Sequence, residues 1–258
     1  MTAALLDVAL RAALAGGEAA MRVYAHAFEV THKDDKTPVT EADLASERVI
    51  VAMLTSAFPD IPVVSEETVP AAGFASPAAR FWLVDPLDGT KEFVAKNGEF
   101  AVLIGLIEDG RPVLGVVHGP AVGLTYTAHG AGTAMRRRQG GVFEPIRARM
   151  PAPEGIVVVH SRSHENSRRL AEYFGEKPVS VLERTKCGSA LKFGVLAAGE
   201  ADFYPRFGTT MEWDTAAGQA ILEAAGGSVV TLSGAPLTYG KPGLKNEGFL
   251  AWGKKPAW

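Results

Sequence analysis

Trp82-Leu83-Val84-Asp85-Pro86-Leu87-Asp88-Gly89-Thr90-Lys91-Glu92-Phe93 is the stretch from which the rest of the chain can be read. Its first three residues form a short apolar run led by an aromatic, the pattern of a buried strand. The strand is expected to end at Asp85, because Pro86 and Gly89 break a ladder. Asp85 and Asp88 are then held three residues apart on a rigid turn at the carboxyl end of a strand. Carboxylates so placed suit a hard cation such as Mg²⁺, which takes oxygen ligands and keeps waters and phosphate around it. Leu87 has an apolar side chain, but its carbonyl can complete such a shell. Gly89 lets the backbone approach an anion, and the amides of Gly89 and Thr90 at a helix start would cradle phosphate. A lone D-x-x-D nevertheless reads first as a capped turn with two solvated aspartates, so the metal reading needs support from elsewhere.

That support comes from Ser65-Glu66-Glu67 upstream and Glu212-Trp213-Asp214-Thr215-Ala216-Ala217-Gly218 downstream. With the Asp85–Thr90 block between them, they resemble the inositol monophosphatase superfamily, and the resemblance runs from about Leu5 to the C-terminus. Asp88–Phe93 and Tyr204-Pro205-Arg206-Phe207-Gly208 resemble its 3′(2′),5′-bisphosphate nucleotidase branch. The resemblance implies an α/β fold, a layered α-β-α-β-α sandwich of the sugar-phosphatase type. It implies a Mg²⁺-dependent phosphatase using roughly two or three ions. Glu66, Asp85, Asp88, Asp214 and the Leu87 carbonyl would hold the metals. Asp43 and Thr90 would orient and deprotonate the attacking water, with Glu66 counted among the catalytic residues. The implied substrate is 3′-phosphoadenosine 5′-phosphate, hydrolysed to AMP and phosphate in sulphur assimilation, with Li⁺ as an inhibitor. An inositol-1-phosphate or histidinol-phosphate phosphatase would share every metal ligand and stays open. So does a phosphate- or metal-responsive regulatory protein of the same fold.

Composition bounds the partners. A chain of 258 residues with 47% hydrophobic and 21% charged content is an ordinary globular protein with an ample core. Net charge is −3, from 26 basic and 29 acidic residues, which argues against a nucleic-acid partner. Phosphate recognition must then come from a local site. The single cysteine, Cys187, excludes an intrachain disulfide and fits a reducing cytoplasm. The apolar N-terminus lacks a basic leader and is interrupted by Asp7 and Arg11, and no apolar run is long enough to span a membrane. The expected protein is cytoplasmic, free or peripheral at the inner face of the membrane, and monomeric or homodimeric.

In chain order, helical spacing covers residues 3–28 and 41–58, the second helix capped by Thr40. Asp43 stands three residues after Thr40, where a capping-box partner also belongs. The Lys33…Pro38-Val39-Thr40…Asp43 block resembles the family's loop and catalytic aspartate, with Lys33 approaching the substrate. Pro62–Ser65 reads as a strand delivering Glu66 and Glu67 to opposite faces, and the resemblance assigns Glu66 to the metals. Phe100–Ile107 and Pro112–His118 are joined by Asp109-Gly110, a hairpin signal, and Leu124–Ala128 extends the antiparallel sheet. Arg136-Arg137-Arg138 reads as a solvated hairpin tip in preference to a phosphate site.

Pro151-Ala152-Pro153 marks a boundary between residues 1–150, carrying most metal ligands, and 151–258, completing the pocket. Beyond it, strands at 156–159, 178–182 and 201–204 alternate with helices near 166–174 and 188–199. His164, in Ser161-Arg162-Ser163-His164, resembles a nucleotide or phosphate contact of the branch; alternatively it caps a helix. Ser189 and Lys192 are expected to share the first turn of their helix, and Arg206 follows a strand that reaches the same place. The resemblance implies that Glu66, Leu87, Asp88, Gly89, Thr90, His164, Ser189, Lys192, Arg206 and Asp214 touch the substrate. Asp214 opens a long helix over 215–225, while Trp213 and Cys187 read as packing residues.

Overall fold

The computed structural model describes residues 2–28, 30–32, 38–69, 79–162, 167–175 and 179–256. The first part of the chain runs α1 (Thr2–Tyr24), β1 (Val30–His32), β2 (Pro38–Thr40) and α2 (Glu41–Ala57). Seven strands then make one sheet in sequence order: β3 (Val63–Ser65), β4 (Arg80–Asp88), β5 (Ala101–Glu108), β6 (Arg111–Gly119), β7 (Leu124–Ala128), β8 (Met135–Arg138) and β9 (Glu144–Pro145). Only the β3–β4 pair is parallel, and the short α3 (Thr90–Val94) follows β4. The rest of the chain supplies β10 (Ile156–His160), α4 (Ser167–Phe174), β11 (Val181–Lys186), α5 (Leu191–Ala197), β12 (Phe203–Arg206), β13 (Thr210–Met211), α6 (Trp213–Ala224), β14 (Ser228–Thr231), β15 (Lys245–Asn246) and β16 (Phe249–Trp252). Five of these strands form a mixed sheet in the order β11-β10-β12-β16-β14.

The layering follows from alternation along strands that are buried on both faces. Trp82 and Val84 of β4, with Val102, Ile104 and Leu106 of β5, pack against α1 and α2. Their neighbours Phe81, Leu83, Leu103 and Ile107 point the other way, into a core shared with α5, α6 and Val159, Tyr204 and Phe249 of the second sheet. On that sheet's outer face, Leu170 and Phe174 of α4 pack on Ile156, Val158, Phe203 and Trp252. The result is the expected α-β-α-β-α sandwich. Among the described residues no helix is long and apolar enough to cross a membrane.

One contact sets the spacing of the middle layers. Gly105 and Gly115 face each other across β5 and β6, and α6 lies over them. A Cβ at Gly115 would fall 2.2 Å from the Ala217 carbonyl oxygen, and one at Gly105 would fall 2.9 Å from Ala216 Cβ. Two glycines therefore let a helix backbone rest on a sheet backbone.

Several local expectations change. β4 does not stop at Asp85 but continues through Pro86 to Asp88. The reason is a register shift between Asp85 and Asp88 against β5, while β3 stops pairing at Val84; a bulge tolerates the missing amide. α1 ends at Tyr24 rather than at 28. Glu66 and Glu67 lie in a turn beyond the end of β3, so strand alternation does not apply to them. Arg136, Arg137 and Arg138 form β8 itself, and Arg136 pairs with Glu144 at 2.6 Å and Glu200 at 2.5 Å. The strand expected over 178–182 forms as Val181–Lys186, because parallel pairing with β10 sets its register and its mostly exposed side chains carry no apolar signal. α5 begins only at Leu191: Ser189 has a left-handed φ of 55° and precedes the helix, so it does not share a helical turn with Lys192. The Asp109-Gly110 hairpin forms as expected, with positive φ at both residues.

The Gly115 contact yields a stability prediction. Gly115→Ala must push α6 off the sheet, at a cost of about 1–3 kcal/mol or more, typical of overpacking against backbone. That corresponds to a Tm lowered by roughly 2–4 °C per kcal/mol for a chain of this size. Gly105→Ala, which meets a methyl first, should cost less. Thermal unfolding of the two variants checks the order; an unchanged Tm in Gly115→Ala would refute the close approach.

Candidate active site

The bulge at the end of β4 builds one wall of the site. Asp85 is buried, and its Oδ1 accepts the Leu87 amide at 3.0 Å, which fixes the loop inside the bulge. Ser46 of α2 donates its hydroxyl to the Pro86 carbonyl at 2.8 Å, so the helix layer clamps the same turn from outside. Gly89 then adopts φ 91°, ψ 41° as the residue before α3, a conformation that favours glycine. Five-residue α3 is too short to carry a developed macrodipole, so any anion held here depends on the local amides and side chains.

Asp43 does two jobs with its two oxygens. Oδ2 accepts the Thr40 amide and the Thr40 hydroxyl, both at 2.8 Å, completing the capping box of α2. Oδ1 accepts the Thr90 hydroxyl at 3.3 Å, which also lies 3.4 Å from the Leu87 carbonyl. The capping and functional readings of Asp43 are thus compatible. Burial raises the Asp43 pKa, the Thr40 hydrogen bonds oppose the rise, and the Glu66 charge adds to it.

The opposite wall comes from the second part of the chain. Ser189 Oγ donates to Asp88 Oδ2 at 2.7 Å, and the Ala190 amide donates to the same oxygen. Lys192 is buried; its ammonium donates to the carbonyls of Cys187, at 3.2 Å, and Ser189, and lies 5.0 Å from the Tyr204 ring centroid. Two of its three donors are therefore used by the turn that carries Ser189. Asp214, in the first turn of α6, accepts the Met211 amide on Oδ2 at 2.7 Å. Arg206, at the end of β12, buries its Nε without a hydrogen-bond partner among the described residues. Asp88, Gly89, Ser189, Lys192, Arg206 and Asp214 line one cavity of about 130 Å³. Asp43, Asp85, Leu87 and Thr90 stand behind its Asp88 side, joined by the hydrogen bonds above.

Like charges crowd this place. Asp85 is pushed well above the usual carboxylate range, first by burial and then by Glu66, Asp88 and Asp214. Asp214 is pushed up likewise by burial, Asp88 and Glu66, and the Arg206 charge offsets only part of this. Each of Asp85, Asp88 and Asp214 has one oxygen fixed by a protein donor, and none forms an ion pair with a described lysine or arginine. An oxygen-only set of mutually repelling carboxylates has the chemistry of a hard-cation site. Among the described residues, however, no three acidic, histidine or cysteine side chains stand in a finished metal-binding arrangement.

His164 and Lys33 lie outside the described residues. Sequence reasoning passed over two acids. Glu92 is buried, lines the cavity and has its pKa raised by that burial. Glu99 binds Arg162 and the Gly188 amide, which hold its pKa below the usual range. Glu92 stands inside the Asp88–Phe93 block without having been singled out, and no local pattern marks Glu99, whose partners Arg162 and Gly188 are distant in sequence. Burial pushes the Cys187 thiol up to about 11, in keeping with a packing role.

Known proteins resemble this chain along nearly all of its length. The profile described as Inositol monophosphatase family matches residues 1–254. A protein of Escherichia coli O157:H7 named 3′(2′),5′-bisphosphate nucleotidase CysQ is 44% identical over 248 residues, covering 95% of this chain and 98% of the relative. The crystal structure of CysQ from Bacteroides thetaiotaomicron superposes with a TM-score of 0.82 at 33% identity, covering 98% of both chains. The structure of the inositol monophosphatase from Anabaena (Nostoc) sp. PCC 7120 gives a TM-score of 0.75 at 27% identity, covering 97% of this chain and 91% of that one. Agreement of the profile, the curated relative and the solved structures over nearly the full length establishes that the chain belongs to the inositol monophosphatase family.

Proposed function

We propose that the protein is a Mg²⁺-dependent 3′(2′),5′-bisphosphate nucleotidase, hydrolysing 3′-phosphoadenosine 5′-phosphate to AMP and phosphate in sulphur assimilation. The observation that carries this reading is the cavity itself. It is lined by the carboxylates of Asp88 and Asp214 and by Arg206, whose buried Nε has no hydrogen-bond partner among the described residues. An orphaned buried donor costs about 1–3 kcal/mol, more for a charged group, unless a ligand pairs it. A bisphosphorylated nucleoside supplies a second phosphate for that purpose, away from the one being cleaved. The 44% identity to a protein named for that activity supports the choice over inositol or histidinol phosphates.

In this reading Glu66, Asp85, Asp88, Asp214 and the Leu87 carbonyl hold roughly two or three Mg²⁺ ions. When bound, the ions supply a water of lowered pKa and positive charge for the leaving oxygen. Thr90 positions the attacking water and Asp43 takes its proton; burial keeps the Asp43 carboxyl closer to neutral pH, as a base requires. Water oxygen bonds to phosphorus as the ester oxygen departs in line. Gly89 lets the backbone close on the cleaved phosphate. Ser189 holds Asp88, Arg206 and the third donor of Lys192 hold the remote phosphate, and His164 joins them. Residues 1–150 thus carry most of the metal ligands and 151–258 complete the pocket. The protein acts in the cytoplasm, free or at the inner membrane face, as a monomer or homodimer, and Li⁺ competes at a metal position.

Three outcomes are expected. First, folded-state pKa values of Asp85 and Asp214 lie above their unfolded values, so the protonated acids favour the fold. That contribution is complete below the unfolded pKa and is lost as pH rises through the folded pKa. Metal-free protein should therefore lose stability with rising pH across that window, and Mg²⁺ at 100 times its Kd should restore about 2.7 kcal/mol. Melting curves with and without Mg²⁺ across pH decide this, and a flat, Mg²⁺-independent profile would contradict it. Second, Asp214→Asn removes one repelling charge: phosphate release should fall more than ~100-fold while the metal-free Tm holds or rises. Near-normal turnover at saturating Mg²⁺ would sink the assignment. Third, Arg206→Ala should lower kcat/KM for the bisphosphate by about 10- to 150-fold, mainly through KM, and change hydrolysis of a simple monophosphate far less. Faster turnover of inositol monophosphate by the unmodified protein would overturn the substrate choice.

A further inference from the structure

Glu99 has no part in the chemistry above, yet it joins three segments that are far apart in sequence. Its Oε1 accepts from the Arg162 guanidinium at 2.5 Å; its Oε2 accepts from Arg162 Nε and from the Gly188 amide, both at 2.7 Å. Glu99 lies between α3 and β5, Arg162 just past β10 and Gly188 just past β11. One carboxylate therefore ties the seven-stranded sheet to two parallel strands of the other. There is little slack in the joint, since a Cβ on Gly188 would fall 2.5 Å from the Glu99 carbonyl oxygen.

The next residue indicates what the joint holds. Ser189 is a non-glycine residue at φ 55°, a conformation that persists only where the surroundings over-determine it. From that turn, the Ser189 hydroxyl and the Ala190 amide both donate to Asp88 Oδ2. The turn is gripped on one side by Asp88, beneath by the Lys192 ammonium on the Ser189 carbonyl, and from behind by Glu99 on the Gly188 amide. Removing the last grip frees the peptide that begins the strained turn. Asp88 would then lose the fixed pair of donors that sets which oxygen it presents to the cavity.

We propose that Glu99 and Arg162 are positioning residues, which hold Gly188-Ser189-Ala190 in its strained turn and through it orient Asp88 for metal binding. The inference rests on the metal-ligand reading of Asp88 under Proposed function. Outer partners that orient a ligand typically change metal affinity by about 10- to 100-fold when lost, and that is the effect expected of Glu99→Ala. Arg162→Ala keeps the Gly188 hydrogen bond and should do less. Glu99→Gln, whose amide oxygen still accepts from Gly188, should recover most of the affinity.

The test reads metal binding without substrate, as the Mg²⁺ concentration giving half of the Mg²⁺-induced rise in Tm for each full-length variant. A raised midpoint in Glu99→Ala, in that order of severity and with kcat falling more than KM rises, supports the proposal. An unchanged midpoint in Glu99→Ala overturns it, and so does a lowered metal-free Tm with an unchanged midpoint, which would make the joint merely structural. Should the unmodified protein bind Mg²⁺ but release no phosphate from the bisphosphate, the substrate reading fails while the thermal titration still decides this one.

Discussion

The seating of α6 on the bare backbones of Gly105 and Gly115 is the contact on which the site depends. A helix resting on side chains stands several ångströms further from a sheet than one resting on glycine. Here the Ala216-Ala217 backbone lies against β5 and β6, and the first turn of α6 is brought down beside the end of β4. That is how Asp214, more than a hundred residues after Asp85 and Asp88, comes close enough for their charges to disturb one another. The spacing of the layers and the electrostatics of the cavity are therefore one problem, solved by two residues without side chains.

The carboxylates themselves work against the fold. Burying an ionised group without a compensating partner is unfavourable, and repulsion from neighbours adds to it. The structure answers with fixed dipoles: the Leu87, Ala190 and Met211 amides and the Ser189 hydroxyl each take one carboxylate oxygen. Such donors orient the acids without neutralising them. The stability sacrificed there is recovered in apolar layers packed on both faces of each sheet.

What the sequence made legible follows the range of each signal. Apolar runs, the Asp-Gly turn and the Thr40 cap are local patterns, and β5, β6 and α2 formed where those patterns lie. The Asp85–Thr90 block was legible as a motif, but Pro86 inside a strand was not, because the bulge that admits it depends on where β3 stops pairing. β11 slipped by three residues because an exposed edge strand carries no inward-outward contrast. Ser189 was expected in the first turn of α5, but its left-handed backbone belongs to a turn hydrogen-bonded to Asp88, about a hundred residues earlier. Glu99 was invisible for the same reason. The fold class, the family and six residues of the cavity lining could be read from sequence, whereas the ties that hold the lining in place could not.

The shared use of Asp43 makes a helix cap into a regulator of acidity. Thr40 reaches no part of the cavity lining, yet its amide and hydroxyl are the main influences holding the Asp43 pKa down against burial. Whatever loosens the first turn of α2, whether heat, a change at Thr40 or movement of the segment before it, weakens those bonds and lets the carboxyl hold its proton to higher pH. The acidity of Asp43 is thereby coupled to the order of one helical end. Under the proposed role of Asp43 as base, a change at that cap alone would shift the working pH and leave every residue that lines the cavity as it is.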